Sequence, residues 1–417
     1  NERLGWLRLA YTANDGESDA IGEIFIHIVE QAPAQVIRID SSDYGSHSMA
    51  LFDDGSVYTW GANGSGQLGL GTTINNYVPT RVGGLPEIKD FALGYEYSLA
   101  LDVDGAVWYW GRSVTSPMQI TLSEGLVIDD IAASYSEMYL LDSNGNVYTE
   151  YADANLSIPN QVAGFSDISE INAGNGHLLA LDNNGLVWAR GNNSSGQLGY
   201  GQDTGSSNTP VQVSKISNIA SIEAANDQSF AIDDQGQLFA WGGNSYGRLG
   251  DGTTVNRNVP VLVKGVVGVV EVRAGYYHAL VRTESGELYG MGLNSDLQLG
   301  ANLGSYSQWH VPTLVIEETV QSIGAGGFSS FIIDTDGLSY SFGSNSSGHL
   351  GDGTTDSRSE PVEISWLLDG VISELGKEGF EWGRIPPYWR NSGSNWQVVE
   401  DVAKSGSYSA RVKDRLN

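Results

Sequence analysis

Gly61-Ala62-Asn63-Gly64-Ser65-Gly66-Gln67-Leu68-Gly69-Leu70-Gly71-Thr72 is the stretch whose reading decides the fold. Its skeleton, Gly-x-Asn-x-x-x-x-Leu-Gly, returns in variants at Gly191 to Gly201, Gly242 to Thr253, Gly292 to Gly300 and Gly343 to Thr354. A pattern this long does not recur five times by chance, so the chain is a tandem repeat, and the repeat sets every later assignment. Outward from each loop lies a polar turn closed by glycine, at Gly55, Gly105, Gly145, Gly185, Gly236, Gly286 and Gly337. There are therefore seven units, two of which keep the turn without the loop.

An apolar run precedes each turn, such as Leu178-Leu179-Ala180-Leu181, and an alternating run follows, such as Val57-Tyr58-Thr59-Trp60. Strand, turn and strand make a β-hairpin, and Asp-Gly or Asn-Gly at its tip predicts a type I′ turn with glycine at positive φ. Three residues past each glycine stands an aromatic: Tyr58, Trp108, Tyr148, Trp188, Phe239, Tyr289 and Tyr340. Two residues further, on the same strand face, come Trp60, Trp110, Glu150, Arg190, Trp241, Met291 and Phe342. Large side chains on one face of a short sheet need a second sheet to cover them. Radially stacked blades supply that cover and leave only short edges.

These residues resemble the signature of the regulator-of-chromosome-condensation repeat. The resemblance covers about four-fifths of the chain and implies an all-β, seven-bladed β-propeller over residues 34–367, within the usual range for four-stranded blades. The sequence leaves open whether the ring closes by pairing the strand near Val36 with one near Leu367. Repeats two and three depart from the pattern: Trp110-Gly111 runs into Arg112-Ser113-Val114, and Glu150-Tyr151 stands where Trp-Gly is usual. Both blades should sit low on the face where the other five carry loops, either by repeat decay or as a notch for a partner. Glu150 and Arg190 occupy one repeat position in adjacent blades; they form an ion pair or both face solvent.

The ends read as partial β-sandwich pieces. Residues 1–31 resemble the closing hairpin of a bacterial cadherin-like or immunoglobulin-like module, through Tyr11-Thr12-Ala13-Asn14-Asp15-Gly16 and the alternating run from Gly22 to Val29. Residues 376–417, with Gly379-Phe380-Glu381-Trp382 and Pro387-Tyr388-Trp389, resemble the opening of a jelly-roll module of carbohydrate-binding or adhesion type. About forty residues cannot bury a sandwich core, so the chain reads as a fragment of a larger modular protein.

Catalytic motifs are missing. Asp102-Val103-Asp104-Gly105 and its equivalents suggest a calcium loop, but the ligand required five residues before the glycine falls on Ala100, Leu140, Ala180 and Ile332. Turn chemistry accounts for those Asp and Asn residues. His47, His177 and His278 share one repeat position in blades one, four and six, which predicts a repeated hydrogen bond within each blade and not a metal site. There is no His-Glu-x-x-His or phosphate loop, and Gly324-Ala325-Gly326-Gly327 precedes no helix, which argues against a dinucleotide site. No cofactor is expected.

The chain has no Cys, which excludes disulfides and thiolate chemistry. Its formal charge of −29 repels phosphate backbones and favours basic partners. No apolar run is long enough to span a membrane. The expected function is that of a non-catalytic extracellular or cell-surface module. It would bind a protein on the loop-bearing face, or a surface glycan through its flanks, and no nucleic acid. Candidate contacts are Gln67, Arg112, Glu150, Arg190, Gln197, Arg248, Gln298 and Trp309, with Trp60 assigned to the core. The resemblance implies such binding, since bacterial members of the family include secreted propellers that bind β-lactamases. Alternatives are a spacer or substrate-binding region of a secreted hydrolase, and nucleotide exchange on a small GTPase, which the acidic charge disfavours.

Overall fold

The computed structural model describes residues 4–14, 19–29, 34–42, 46–153, 156–202, 205–300, 307–317, 320–364, 396–401 and 409–414. Seven four-stranded antiparallel sheets follow one another, each with its strands in chain order. The blades span residues 36–81, 88–119, 128–161, 168–212, 219–262, 269–316 and 320–363. Gln35–Leu367 forms one compact unit. The propeller inferred from the repeat is therefore the fold. The short repeats two and three still build four strands, although the fourth strand of blade 3 is only Asn160–Gln161.

The hairpin turns differ in kind from the expected type I′. Gly55 has φ 76, but the aspartate before it does not share a positive φ. Gly55 N–H donates to the Phe52 carbonyl (3.0 Å) and Phe52 N–H to the Ser56 carbonyl (3.0 Å). This is a type I turn followed by a left-handed glycine, the three-residue G1-bulge hairpin. Asp102 Oδ1 accepts the Asp104 and Ala106 N–H groups, while its Oδ2 accepts Trp108 Nε1. The aspartate and the aromatic six residues on thus lock each other, and Asp182 with Trp188 repeats the arrangement.

Among the described residues no strand is exchanged between the first and last blades. Val36 pairs with Phe52 inside blade 1, and the last strand of blade 7, Arg358–Glu363, pairs within blade 7. The first strands of the two blades, Val320–Gly326 and Val36–Ser41, instead lie directly against each other. The approach is so close that a Cβ on Gly324 would sit 2.0 Å from the Ile39 carbonyl oxygen, and one on Gly326 2.0 Å from that of Ser41. The glycine-rich run is the seam of the ring.

Leu4–Asn14 and Asp19–Val29 form one antiparallel hairpin, and Trp396–Asp401 and Ser409–Asp414 another. Residues 376–395, with most of the expected jelly-roll opening, and Val371-Ile372 lie outside the described residues.

Candidate interaction face

The repeated loop is built around its buried asparagine. Asn63 Oδ1 accepts the Leu68 N–H (3.0 Å), and its Nδ2 donates to the Thr72 and Ile74 carbonyls. Asn193, Asn244, Asn294 and Asn345 hold Leu198, Leu249, Leu299 and Leu350 the same way, at 2.8–3.0 Å. Each leucine is fully buried. The motif exists because a long exposed loop needs an internal amide to satisfy its backbone and an apolar anchor to hold it down.

Gln67, Gln197 and Gln298 brace the same loops from inside. Each Oε1 accepts a backbone N–H two residues earlier, from Ser65, Ser195 and Asp296. They are 3%, 0% and 0% exposed, and Arg248 is 2% exposed, with Nε on the Gly243 carbonyl and Nη1 on that of Tyr276. The expectation that these four contact a partner directly is corrected: they brace loops and blades from within.

Their backbone carbonyls carry a second pattern. Gln67 O accepts both Ser98 Oγ (2.9 Å) and Trp110 Nε1 (2.9 Å) from the following blade. Gln197 O takes Ser229 and Trp241 likewise, and the His349 carbonyl takes Ser48 and Trp60. Gln298 O accepts Ser330 alone, because Phe342 stands in the tryptophan position. The loops of blades 1, 4 and 7 therefore dock onto the next blade through a serine and a tryptophan, that of blade 6 through a serine alone, and that of blade 5 faces Ala279 and Met291. Blades 3 and 4 follow the loopless repeats, and they carry Met138 with Glu150 and Leu178 with Arg190 instead. Where blades 2 and 3 lack the loop, the following blades also lack the serine and the tryptophan that would receive it. Among the described residues no ion pair joins Glu150 to Arg190. Glu150 accepts the Ser157 hydroxyl (2.7 Å), and Arg190 is half-buried near Tyr139. The paired-charge reading is corrected accordingly.

The histidines also act between blades, not within them. His47, His177 and His278 place Nε2 3.0, 3.0 and 3.1 Å from Ser98, Ser229 and Ser330 Oγ of the next blade. Those are the serines that hold the loop carbonyls. Trp309 is half-buried against the core between blades 6 and 7.

Arg112 takes over where the loop of blade 2 is missing. Arg112 and Ser113 adopt φ 46 and 83, turning the chain back sharply. The guanidinium donates to the Tyr95 carbonyl through Nε (3.2 Å), the Ala152 carbonyl through Nη1 (2.7 Å) and the Tyr135 carbonyl through Nη2. One side chain thereby clamps blade 2 to blade 3. Arg112→Ala should lower stability by about 2 kcal/mol in urea unfolding, with Arg112→Lys recovering only part, because a lysine lacks the fork that reaches three carbonyls.

The hub is a belt of charge that sequence reading missed. In the first six blades, the residues flanking the buried Ile, Phe or Val of the first strand supply Asp40, Asp90, Asp130, Glu170, Glu223 and Glu271, with Arg38 and Arg273 among them. Asp130 accepts the Ile171 N–H (2.8 Å), Glu170 that of Ile222 (3.2 Å) and Glu223 that of Ala274 (3.2 Å), each from the next blade. Arg38 pairs with Asp90 across blades 1 and 2. Arg273 pairs with Glu223 (3.6 Å) and Glu271 (3.5 Å). Burial pushes the Asp130, Glu170 and Glu223 carboxyls up to about 7.

Folded, these carboxyls keep protons that the unfolded chain releases. Their contribution to stability is complete below the ordinary carboxylate range and is lost as pH rises through about 7. Buried His177 and His278, pushed down to about 3, and His349, to about 4, act oppositely. Their contribution is complete above the ordinary histidine range and is lost as pH falls towards those values. The two effects overlap in the wild type, and a variant separates them. The stability of Glu223→Gln relative to wild type should be about 1–2 kcal/mol more favourable at pH 8 than at pH 5. Equal differences at both values would show that Glu223 titrates normally.

Five loops braced by buried amides, docked blade to blade on a closed ring, define a repeat propeller whose variable surface is its loops and turns. The chain belongs to the RCC1-like domain family, whose model matches residues 150–376, and the regulator of chromosome condensation (RCC1) repeat matches residues 54–101. It is 30% identical over 253 residues to the Ultraviolet-B receptor UVR8 of Arabidopsis thaliana, covering 54% of this chain and 57% of that protein. It is 30% identical over 337 residues to the Probable E3 ubiquitin-protein ligase HERC6 of Homo sapiens, covering 79% of this chain and 25% of that one. The chain thus spans little more than half of the first relative and a quarter of the second. Among solved structures, human WBSCR16 superposes with a TM-score of 0.66 at 20% identity, covering 74% of this chain and 93% of that one. Prp20p of Saccharomyces cerevisiae gives 0.65 at 24%, covering 80% and 86%. These two likenesses show the fold.

Proposed function

We propose that the propeller is a non-catalytic protein-binding module that receives its partner on the loop-bearing face, in an extracellular or cell-surface setting. One observation carries the reading: five loops are held by buried side chains, the described tips stay open, as at Ile74 (74% exposed) and Val255 (60%), and two adjacent blades leave a gap among them. A rigid scaffold displaying variable loops is how binding sites are commonly built. The yeast structural neighbour fits the reading, since Prp20 is known in complex with Kap60 and binds Gsp1p and histones.

The test is capture of partners by the full chain, compared with a variant whose blade 2 carries the loop of blade 4 grafted at Arg112-Ser113. A partner that binds the wild type directly after purification, and is lost on filling the gap, supports the reading. Retention of every partner by a variant stripped of all five loop tips would sink it.

A further inference from the structure

We propose that the gap between blades 2 and 3 is a docking platform for an arginine or lysine side chain of a basic protein segment, formed by the stacked pair Tyr95–Tyr135 with Glu96 beside it. This rests on the protein-binding reading above and gives that reading a site and a chemistry.

The platform follows from the missing loop. Tyr95 and Tyr135 occupy the same turn in adjacent blades, and Arg112 holds both of their backbone carbonyls. The rings are consequently parallel, with centroids 4.4 Å apart and planes at 7°. Tyr135 is 40% exposed and Tyr95 half-buried. In such a stack each ring turns one face outward, and the negative face of a phenol ring attracts cations. Arg112 is not that cation: its N–H groups are committed to three carbonyls, and its Cζ lies 5.2 Å from the ring of Tyr97.

Charge at the platform has the sign a cation requires. The Tyr95 hydroxyl hydrogen-bonds with Glu96 and Tyr135, and the Glu96 carboxylate raises its pKa above the ordinary phenol value, so the ring stays neutral. Glu96 adopts φ 61, a left-handed conformation unusual for a side chain of its size. Asp153 is exposed nearby, acting on Tyr109 together with Arg112. The whole chain carries −29, so a basic segment is drawn in from a distance.

The molecule contains its own precedent. At the corresponding turn of blade 6, Tyr277 is covered by Arg248 from the loop of blade 5, with Cζ 5.2 Å from the ring centroid. In that seam a loop supplies the cation. At the turn of blade 3 the corresponding loop, that of blade 2, is missing, and Tyr135 is left 40% exposed.

The test is calorimetric titration of a nona-arginine peptide into the full chain at physiological salt. Tyr95→Ala/Tyr135→Ala should weaken binding about five- to tenfold without altering net charge. Tyr95→Phe/Tyr135→Phe keeps the rings and should bind within about twofold of wild type, as should Tyr340→Ala at a tyrosine beside the Gly337 hairpin turn of blade 7. Near-ultraviolet circular dichroism establishes that each variant is folded. No binding by the wild type, or equal binding by the double alanine variant, overturns the platform. A purified partner from the capture experiment that ignores the tyrosines overturns the platform and leaves the protein-binding reading standing. Tyrosine-dependent peptide binding with no captured partner does the reverse.

Discussion

Gly324→Val should cost the propeller on the order of 3 kcal/mol and lower its melting temperature, because the seam between blades 7 and 1 has no room for a side chain. A Cβ there meets the Ile39 carbonyl oxygen at 2.0 Å and its carbon at 2.9 Å, so the obstacle is backbone and not a movable side chain. The seam is also where the first and last blades meet, and Asp40 Oδ1 on the Ala325 N–H (3.1 Å) spans it. Forcing it apart sacrifices that bond and the packing of Ile39 and Ile323, both 2% exposed. Gly83→Ala is the control: nothing lies within 4 Å of its added carbon, and its effect should stay within about 0.5 kcal/mol. Equal melting temperatures for the two variants would show that the seam opens freely.

Trp241→Ala carries the second large effect, about 4 kcal/mol, from a buried indole removed at a blade interface. Trp241 is fully buried, packs on Gly199 and donates to the Gln197 carbonyl (2.9 Å). Trp241→Phe retains most of the apolar contact and leaves Ser229 alone on that carbonyl, so the cost should fall to about 1–2 kcal/mol. Blade 7 already lives with that arrangement, through Phe342 and Ser330 against Gln298. Urea unfolding followed by tryptophan-independent circular dichroism measures both. A phenylalanine variant as unstable as the alanine one would mean that the hydrogen bond, and not the indole volume, holds the interface.

The local period was written in the sequence. Seven turn glycines, the aromatic three residues on and the Asn-to-Leu-Gly loop are short-range features, and each unit folds as a hairpin wherever it lies in the ring. Even the low profile of blades 2 and 3 was legible, since it is a matter of missing residues. The turn type was not, because Asp-Gly suits both a two-residue loop and a three-residue loop with a bulge, and only the hydrogen-bond register separates them.

What the tertiary structure alone decided are the partnerships between repeats. Gln67 looks like a loop tip in the sequence; it is buried because its carbonyl meets a serine and an indole about thirty and forty residues later. Glu150 and Arg190 look like partners because they share a repeat position. In the ring that position faces the loop of the preceding blade, so equivalent residues of neighbours never meet as a pair. The hub carboxylates are single letters among fifty acidic residues, and they converge only when seven first strands surround one axis. The sequence by itself determined the unit and its number, because those depend on local conformation. Which side chains lie buried and which stay open to a partner was decided by closure of the ring, which alone sets one blade against the next.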